Sequence, residues 1–335
     1  MLESMYRNNS ASVLMSVLLA VALVLSGCVS APEVTETSEP ETTATSASET
    51  EESSSSDDTS ETTAVKDGLK DIGVVSENKY TCKYDGVKHD FIVYLPEEPE
   101  GAPLVLLLHG YGESAETFRL KTHFLEQGCD RGYAVVYVDG SSNIGGSAAG
   151  KGWNSGISIS GNDDVGFLKD LAKYLQDEYK LSHEKTYVAG FSNGAFMTHR
   201  IAMEAQDVFA VAVSVAGKMP KTVWEARNES NDVSFFQITG EKDEVVPKYS
   251  DKSADSAIDP AIEDVVGYWA SSNGLTASKE EEIGKGSALT RYSEEGKISK
   301  VWNLSIKGGY HSWPDDNING FKVNDLILDI FDEAG

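Results

Sequence analysis

The sequence is short of cysteine and of positive charge. Three cysteines in 335 residues make no disulfide framework. Twenty-eight lysines and arginines against 54 aspartates and glutamates leave a formal net charge of −26. That balance argues against nucleic acid or an anionic membrane surface as a partner. Long hydrophobic runs are missing too: the apolar stretch from Ser12 to Leu25 is too short for a comfortable membrane span. No cluster of His, Cys and carboxylates has metal-ligand spacing, no glycine-rich phosphate loop is present, and no segment repeats. Neither a metal nor a cofactor is expected.

The N-terminus carries a different kind of signal. Arg7 precedes the Ser12–Leu25 run, and Leu25-Ser26-Gly27-Cys28 closes it with small residues ahead of a cysteine. This resembles a bacterial lipobox, which implies a signal peptide over residues 1–27, cleavage before Cys28, and a diacylglyceryl group on the Cys28 sulfur. From Val29 to Val65 there are ten acidic residues and no Lys or Arg, so this stretch carries −10 of the −26. With hardly a large apolar side chain, it cannot bury enough surface to offset its ordering entropy. Residues 28–70 are therefore expected to form a disordered tether spanning roughly 40 Å. It would hold a domain over residues 71–335 outside the cell, with the membrane a partner only through Cys28, since two acyl chains suffice for anchorage.

Within that domain, Tyr80–Tyr84 and His89–Leu95 alternate like an antiparallel hairpin, with Asp85-Gly86 as the turn. Pro103–Leu108, Tyr133–Val138, Lys185–Ala189, Phe209–Val215 and Val233–Thr239 are continuous apolar runs, as strands covered on both faces require. Trp302–Ile306 is a weaker one. Helical periodicity falls between them, over Ala115–Gly128, Asp164–Tyr179, the stretch after Ser192, Pro260–Ser271 and Gly320–Phe331. Strands alternating with helices predict an α/β fold: a mostly parallel, doubly wound sheet with helices on both faces. Ligands in such sheets sit outside the carboxyl ends of the strands. Cys82 and Cys129 are left as a pair or as free thiols.

One strand ends in Gly190-Phe191-Ser192-Asn193-Gly194, where a helix begins. A G-x-S-x-G turn in that context exposes a serine hydroxyl as a nucleophile. A serine needs a histidine to take its proton and an acid to fix that histidine's tautomer. Of six histidines, His123 and His199 lie in helical stretches, His183 before a strand and His89 in the hairpin. His109 ends a strand and is read as a brace. His311 remains, in Gly308-Gly309-Tyr310-His311-Ser312-Trp313-Pro314, between the last strand and the last helix. For the acid, Asp243 in Gly240-Glu241-Lys242-Asp243-Glu244 is preferred over Glu241 and Glu244, which read as solvated charges. The order Ser192, Asp243, His311 is that of α/β-hydrolases. An oxyanion would be held by the N–H of Asn193, at a helix start, and by that of Tyr111 in His109-Gly110-Tyr111-Gly112. Trp153 and Trp313 are candidate substrate-binding walls, with plain packing as the alternative. Asp163 and Asp164 read as a helix cap.

Four motifs in order, LLLHGYGES, AGFSNGAFM, ITGEKDEVVP and GGYHSWP, resemble the polyhydroxybutyrate depolymerase/feruloyl esterase group of secreted α/β-hydrolases. Tyr137-Val138-Asp139-Gly140, Gly152-Trp153-Asn154 and Asn162–Phe167 are similar to that group's intervening segments. The resemblance runs from about Val87 to Phe331. It implies a secreted serine esterase acting on feruloyl or acetyl esters of plant xylan, or alternatively on polyhydroxyalkanoate polyester. A monomer is expected. Members of the group often carry a cysteine shortly after the Trp-Asn pair. Here Asn154 is followed by SGISISG, so no disulfide can hold that loop. Two readings from other classes remain: a serine peptidase of the same fold, although no gating propeller precedes the domain, and a non-catalytic surface binding protein, although all three triad residues stand.

Overall fold

The continuous apolar runs become the inner strands of one sheet because both of its faces are covered. The structure, a computed structural model, describes residues 68–142, 150–157, 161–249, 260–314 and 319–335. The expected signal peptide, Cys28 and almost all of the tether lie outside these residues. The chain divides between Lys66 and Asp67 into two units, and the second carries the fold.

An antiparallel meander opens it: β1 (Leu69–Ser76), β2 (Lys79–Tyr84) and β3 (Val87–Tyr94). The β2–β3 turn is at Asp85-Gly86, both at positive φ, as a tight hairpin demands. Then follow β4 (Leu104–Leu108), α1 (Ala115–Thr122), α2 (Phe124–Asp130), β5 (Ala134–Val138) and the short pair β6 (Ser141–Ser142) and β7 (Lys151–Gly152). Next come α3 (Asp164–Tyr179), β8 (Thr186–Phe191), α4 (Asn193–Glu204), β9 (Val211–Val215), α5 (Lys221–Glu225) and β10 (Ser234–Gly240). The chain closes with α6 (Ile262–Ser272), β11 (Ala277–Ile283), β12 (Ser287–Ser293), β13 (Val301–Ile306) and α7 (Val323–Ala334).

Eleven strands form one sheet in the order β1-β2-β3-β5-β4-β8-β9-β10-β13-β12-β11. The six from β5 to β13 are parallel to one another and form the expected doubly wound centre. Antiparallel strands extend it on both sides. Alternate residues of β4 show how the core divides. Leu104, Leu106 and Leu108 face one layer, with Leu168 and Leu171 of α3, Ile201 of α4 and Trp269 of α6. Val105 and Leu107 face the other, with Phe118 of α1, Phe124 of α2 and Phe331 of α7. Each such side chain, removed fully from water, contributes about 1.5–3 kcal/mol.

The helix expected over Ala115–Gly128 is two helices, broken at His123, which adopts a left-handed φ of 49°. Thr122 is anchored just before the break: its hydroxyl meets that of Tyr137, and its carbonyl accepts from Asn324. The turn then sends Phe124 into the core. The composition also gave no warning of β11 and β12. Lys279-Glu280-Glu281-Glu282 reads as solvated charge, and it forms an edge strand whose charges face water, which discourages edge-to-edge pairing. Cys82 and Cys129 are both free. Burial pushes their thiols up to about 12 and about 11, so neither is a nucleophile at neutral pH.

Candidate active site

Ser192 sits between β8 and α4 at φ 52° and ψ −115°, a strained conformation for a residue with a Cβ. Two close approaches make this turn possible. A Cβ on Gly190 would overlap the Gly194 carbonyl, and one on Gly194 would overlap the carbonyl of Leu108 at the end of β4. The Ser192 N–H donates to the Val215 carbonyl, and the Phe196 N–H closes the first turn of α4 on the Ser192 carbonyl.

The loops after β10 and β13 meet over this serine. His311 Nε2 lies 2.9 Å from Ser192 Oγ, and His311 Nδ1 lies 2.8 Å from Asp243 Oδ2. The other Asp243 oxygen accepts the N–H groups of Val245 at 2.9 Å and Val246 at 2.8 Å, so the buried carboxylate is fixed from both sides. Glu241 accepts the Gly308 N–H, while the Lys242 N–H donates to the Gly309 carbonyl, tying the acid loop to the histidine loop. Glu241 thus has a structural bond of its own, and Glu244 is exposed. Lys218, fully buried, donates to the carbonyls of Pro247 and Tyr249 and pins the far side of the acid loop.

The loop after β4, which contains Tyr111, lies beside β8 because β4 and β8 are neighbours in the sheet. The Gly110 N–H donates to Glu113 at 2.9 Å, the Gly112 N–H to the Lys151 carbonyl, and the Ala115 N–H to Asp139 at 2.6 Å. Glu113 also pairs with Lys121, whose ammonium lies 3.5 Å from the Phe191 ring centroid. Burial pulls the Lys121 pKa down, opposed by Glu113. His109 is fully buried behind this loop, and burial lowers its pKa. Its Nδ1 bonds the Gly110 carbonyl at 2.7 Å, and its Nε2 accepts the Gly140 N–H at 3.0 Å. Tyr111 is itself 40% exposed. Asn193 is the first residue of α4, where peptide N–H groups have no intrahelical partner.

Both tryptophans are packed in the core, the alternative that the sequence left open for them. Trp153 is fully buried, its indole N–H donating to the His109 carbonyl at 2.9 Å. Trp313 is buried edge-on against Phe118 and donates to Asn324. The loop that lacks a disulfide is held by polar groups instead. Asn193 accepts the Trp153 N–H at 2.7 Å and donates to the Trp153 carbonyl and the Ser155 hydroxyl. Asp164 accepts the Asn154 N–H, and Arg200 donates to the Asn154 carbonyl. Asp163 is the cap, accepting the Gly166 N–H. Asp164 is a buried clamp, and burial pushes its carboxyl up to about 6 against the pull of the Asn154 N–H and Arg200.

The Asn193 side chain, Glu113, Lys121 and Lys218 were not singled out in the sequence. Glu113 had a local signal, three residues after the glycine it holds. The partners of Asn193 lie 38 and 40 residues away, and nothing local marks them. Among the described residues no group of three or more His, Cys, Asp or Glu side chains is arranged to hold a metal ion.

The fold is that of the α/β-hydrolases. An acetyl xylan esterase from Aspergillus awamori superposes with a TM-score of 0.54 at 15% identity, over 73% of this chain and 94% of that one. Residues 101–269 match the serine hydrolase (FSH1) family, and the chain belongs to it. Putative esterase NocK of Nocardia uniformis subsp. tsuyamanensis is 27% identical over 242 residues, which cover 65% of this chain and 67% of NocK. Feruloyl esterase B of Piromyces equi is 23% identical over 68% of this chain and 43% of its own length. The bifunctional acetylxylan esterase/xylanase XynS20E of Neocallimastix patriciarum is 24% identical over 48% of this chain. The match spans only 22% of that relative. These relatives bear out the resemblance seen in the four motifs.

Proposed function

We propose that this serine hydrolase is an extracellular esterase in which Ser192, His311 and Asp243 form the catalytic triad. The observation that carries the reading is the chain of hydrogen bonds from Ser192 Oγ through His311 to Asp243, at 2.9 and 2.8 Å. Ser192 Oγ attacks the ester carbonyl as His311 Nε2 takes its proton, forming a tetrahedral oxyanion. Asp243 holds the Nδ1–H tautomer and stabilises the imidazolium. Collapse of the oxyanion breaks the bond to the alcohol oxygen, which leaves with the proton from His311. Water then repeats the sequence on the acyl-enzyme, releasing the acid and restoring Ser192. The N–H groups of Asn193 and Tyr111 receive the oxyanion in both halves. No cofactor enters the scheme.

The acyl groups favoured are feruloyl and acetyl on plant xylan. Relatives named for those activities support this. The lipobox at Cys28 and the acidic tether support anchorage outside the cell. The test is hydrolysis of p-nitrophenyl acetate, methyl ferulate, acetylated xylan and a hydroxybutyrate oligomer by the full chain and its Ser192→Ala variant. Turnover of an ester is expected to fall by about 10⁶-fold in the variant, with the fold retained. Equal turnover by both would remove Ser192 from the mechanism. Preference for the hydroxybutyrate oligomer would move the substrate to polyester.

A further inference from the structure

The Gly110–Tyr111 peptide presents the Tyr111 N–H on one edge and the Gly110 carbonyl on the other. Because a trans peptide is planar, its C=O and N–H point in opposite directions, so whatever fixes the carbonyl also aims the N–H. The Gly110 carbonyl is fixed by the His109 ring, whose Nδ1 lies 2.7 Å away, and it also accepts the Glu113 N–H at 3.2 Å.

The ring's own state is set from behind. The Gly140 N–H donates to His109 Nε2 at 3.0 Å, so that nitrogen must present its lone pair and the single proton must sit on Nδ1. Asp139 cannot reverse this arrangement. Its carboxylate lies 3.9 Å from Nε2, beyond hydrogen-bond reach, and is engaged with the Ala115 N–H and Lys151. The preceding peptide is held at both ends as well. The His109 carbonyl accepts the Trp153 indole N–H at 2.9 Å, and the Gly110 N–H donates to Glu113 at 2.9 Å. Trp153 is in turn bound through its own backbone to the Asn193 side chain. Hydrogen bonds therefore run from one residue assigned to the oxyanion hole, Asn193, through Trp153 to the His109–Gly110 peptide, which adjoins the peptide that bears the other donor.

We propose that His109, as the Nδ1–H tautomer imposed by the Gly140 N–H, is a positioning residue that locks the Gly110–Tyr111 peptide with its N–H turned away from the core toward the oxyanion. Trp153 is the strut that ties the preceding His109–Gly110 peptide to Asn193. The proposal rests on the esterase reading above. Turning the peptide over would leave a fully buried Nδ1–H without an acceptor, which makes the donor-out orientation costly. Gly110 lies against Phe191, the residue before Ser192, so the locked peptide stands beside the nucleophile.

The test uses the full chain with p-nitrophenyl acetate, together with phenylboronic acid, whose serine adduct carries a tetrahedral oxygen like that of the transition state. His109→Leu is expected to lower kcat by about 10²–10³-fold, the usual effect of losing one oxyanion donor, with KM changed by less than about threefold. The inhibition constant for the boronic acid should rise in parallel with the fall in kcat. His109→Asn, which can donate from nearly the same point, should recover at least about tenfold of the loss. A purely structural role would lower the melting temperature of both variants without that parallel or that rescue.

A folded His109→Leu protein with wild-type kcat would overturn the proposal. If that variant does not fold, Trp153→Phe, which keeps an aromatic ring but loses the indole N–H together with part of the buried ring volume, decides the matter through kcat measured on folded protein. A fall in kcat of about tenfold at constant KM is expected there, and an unchanged kcat would overturn the proposal. Wild-type protein with no ester turnover would instead overturn the esterase reading, and the proposal with it.

Discussion

Ser192 carries the strain of its turn in its own backbone. At φ 52° and ψ −115° a Cβ costs about 1–3 kcal/mol, and α4 and β8 hold it there. A comparison of two substitutions isolates that cost, because Ser192→Ala and Ser192→Gly both lack the hydroxyl and differ only in the Cβ. Ser192→Gly is expected to be the more stable by about 1 kcal/mol, a melting temperature about 2–4 °C higher. Thermal unfolding of the pair measures this, and the reverse order would mean the elbow stores no strain. At this scale much of the candidate site was legible. Ser192, Asp243 and His311 stand in recognisable motifs, and their side chains meet. Trp153 stayed open between a substrate wall and packing, because an aromatic residue in a polar loop looks the same in sequence whether it is buried or open. Its burial is decided by Asn193, 40 residues on, and by the His109 carbonyl.

Among the elements, the critical contact is between the start of α4 and the end of β4. Gly194 lets the helix sit on the Leu108 carbonyl, and no side chain can fit between them. Gly194→Ala is expected to destabilise the protein by about 3 kcal/mol or more, since the atoms in the way are backbone and cannot rotate aside. The midpoint of urea unfolding reads the effect, and an unshifted midpoint would show that α4 can move without cost. The inner strands and α3 were legible because burial on both faces, or on one stripe, imposes a pattern on the residues themselves. The break at His123 was not, since α1 and α2 have one continuous apolar periodicity. The turn is dictated by Tyr137 and Asn324, which hold Thr122 from other elements. Nor were β11 and β12, whose charged residues suit an edge strand as well as a loop.

For the molecule as a whole, the buried Asp164 clamp predicts how stability varies with pH. Its carboxyl titrates near 3.8 in the open chain and is pushed up to about 6 by burial. Between those values the unfolded chain has released the proton and the folded one has kept it. Stability contributed at this site is therefore full below the lower value, falls as pH rises through the window, and stays reduced above it, by about 3 kcal/mol in all. Asp164→Asn removes the loss, so the variant should gain on the wild type by about that much between pH 4 and pH 7. Urea unfolding at the two pH values checks it, and a constant difference would mean that Asp164 titrates as an exposed carboxyl does. By itself the sequence determined the α/β alternation, the two-sided burial of the inner strands and the residues that meet over Ser192, because each of these leaves a local periodicity or a short motif. Only the tertiary structure decided what holds them in place: the Asn193 side chain on the Trp153 loop, Lys218 under the acid loop, and His109 behind the Gly110 carbonyl. Those bonds join segments far apart in the chain, and a hydrogen bond between distant residues imposes no pattern on the neighbours of either one.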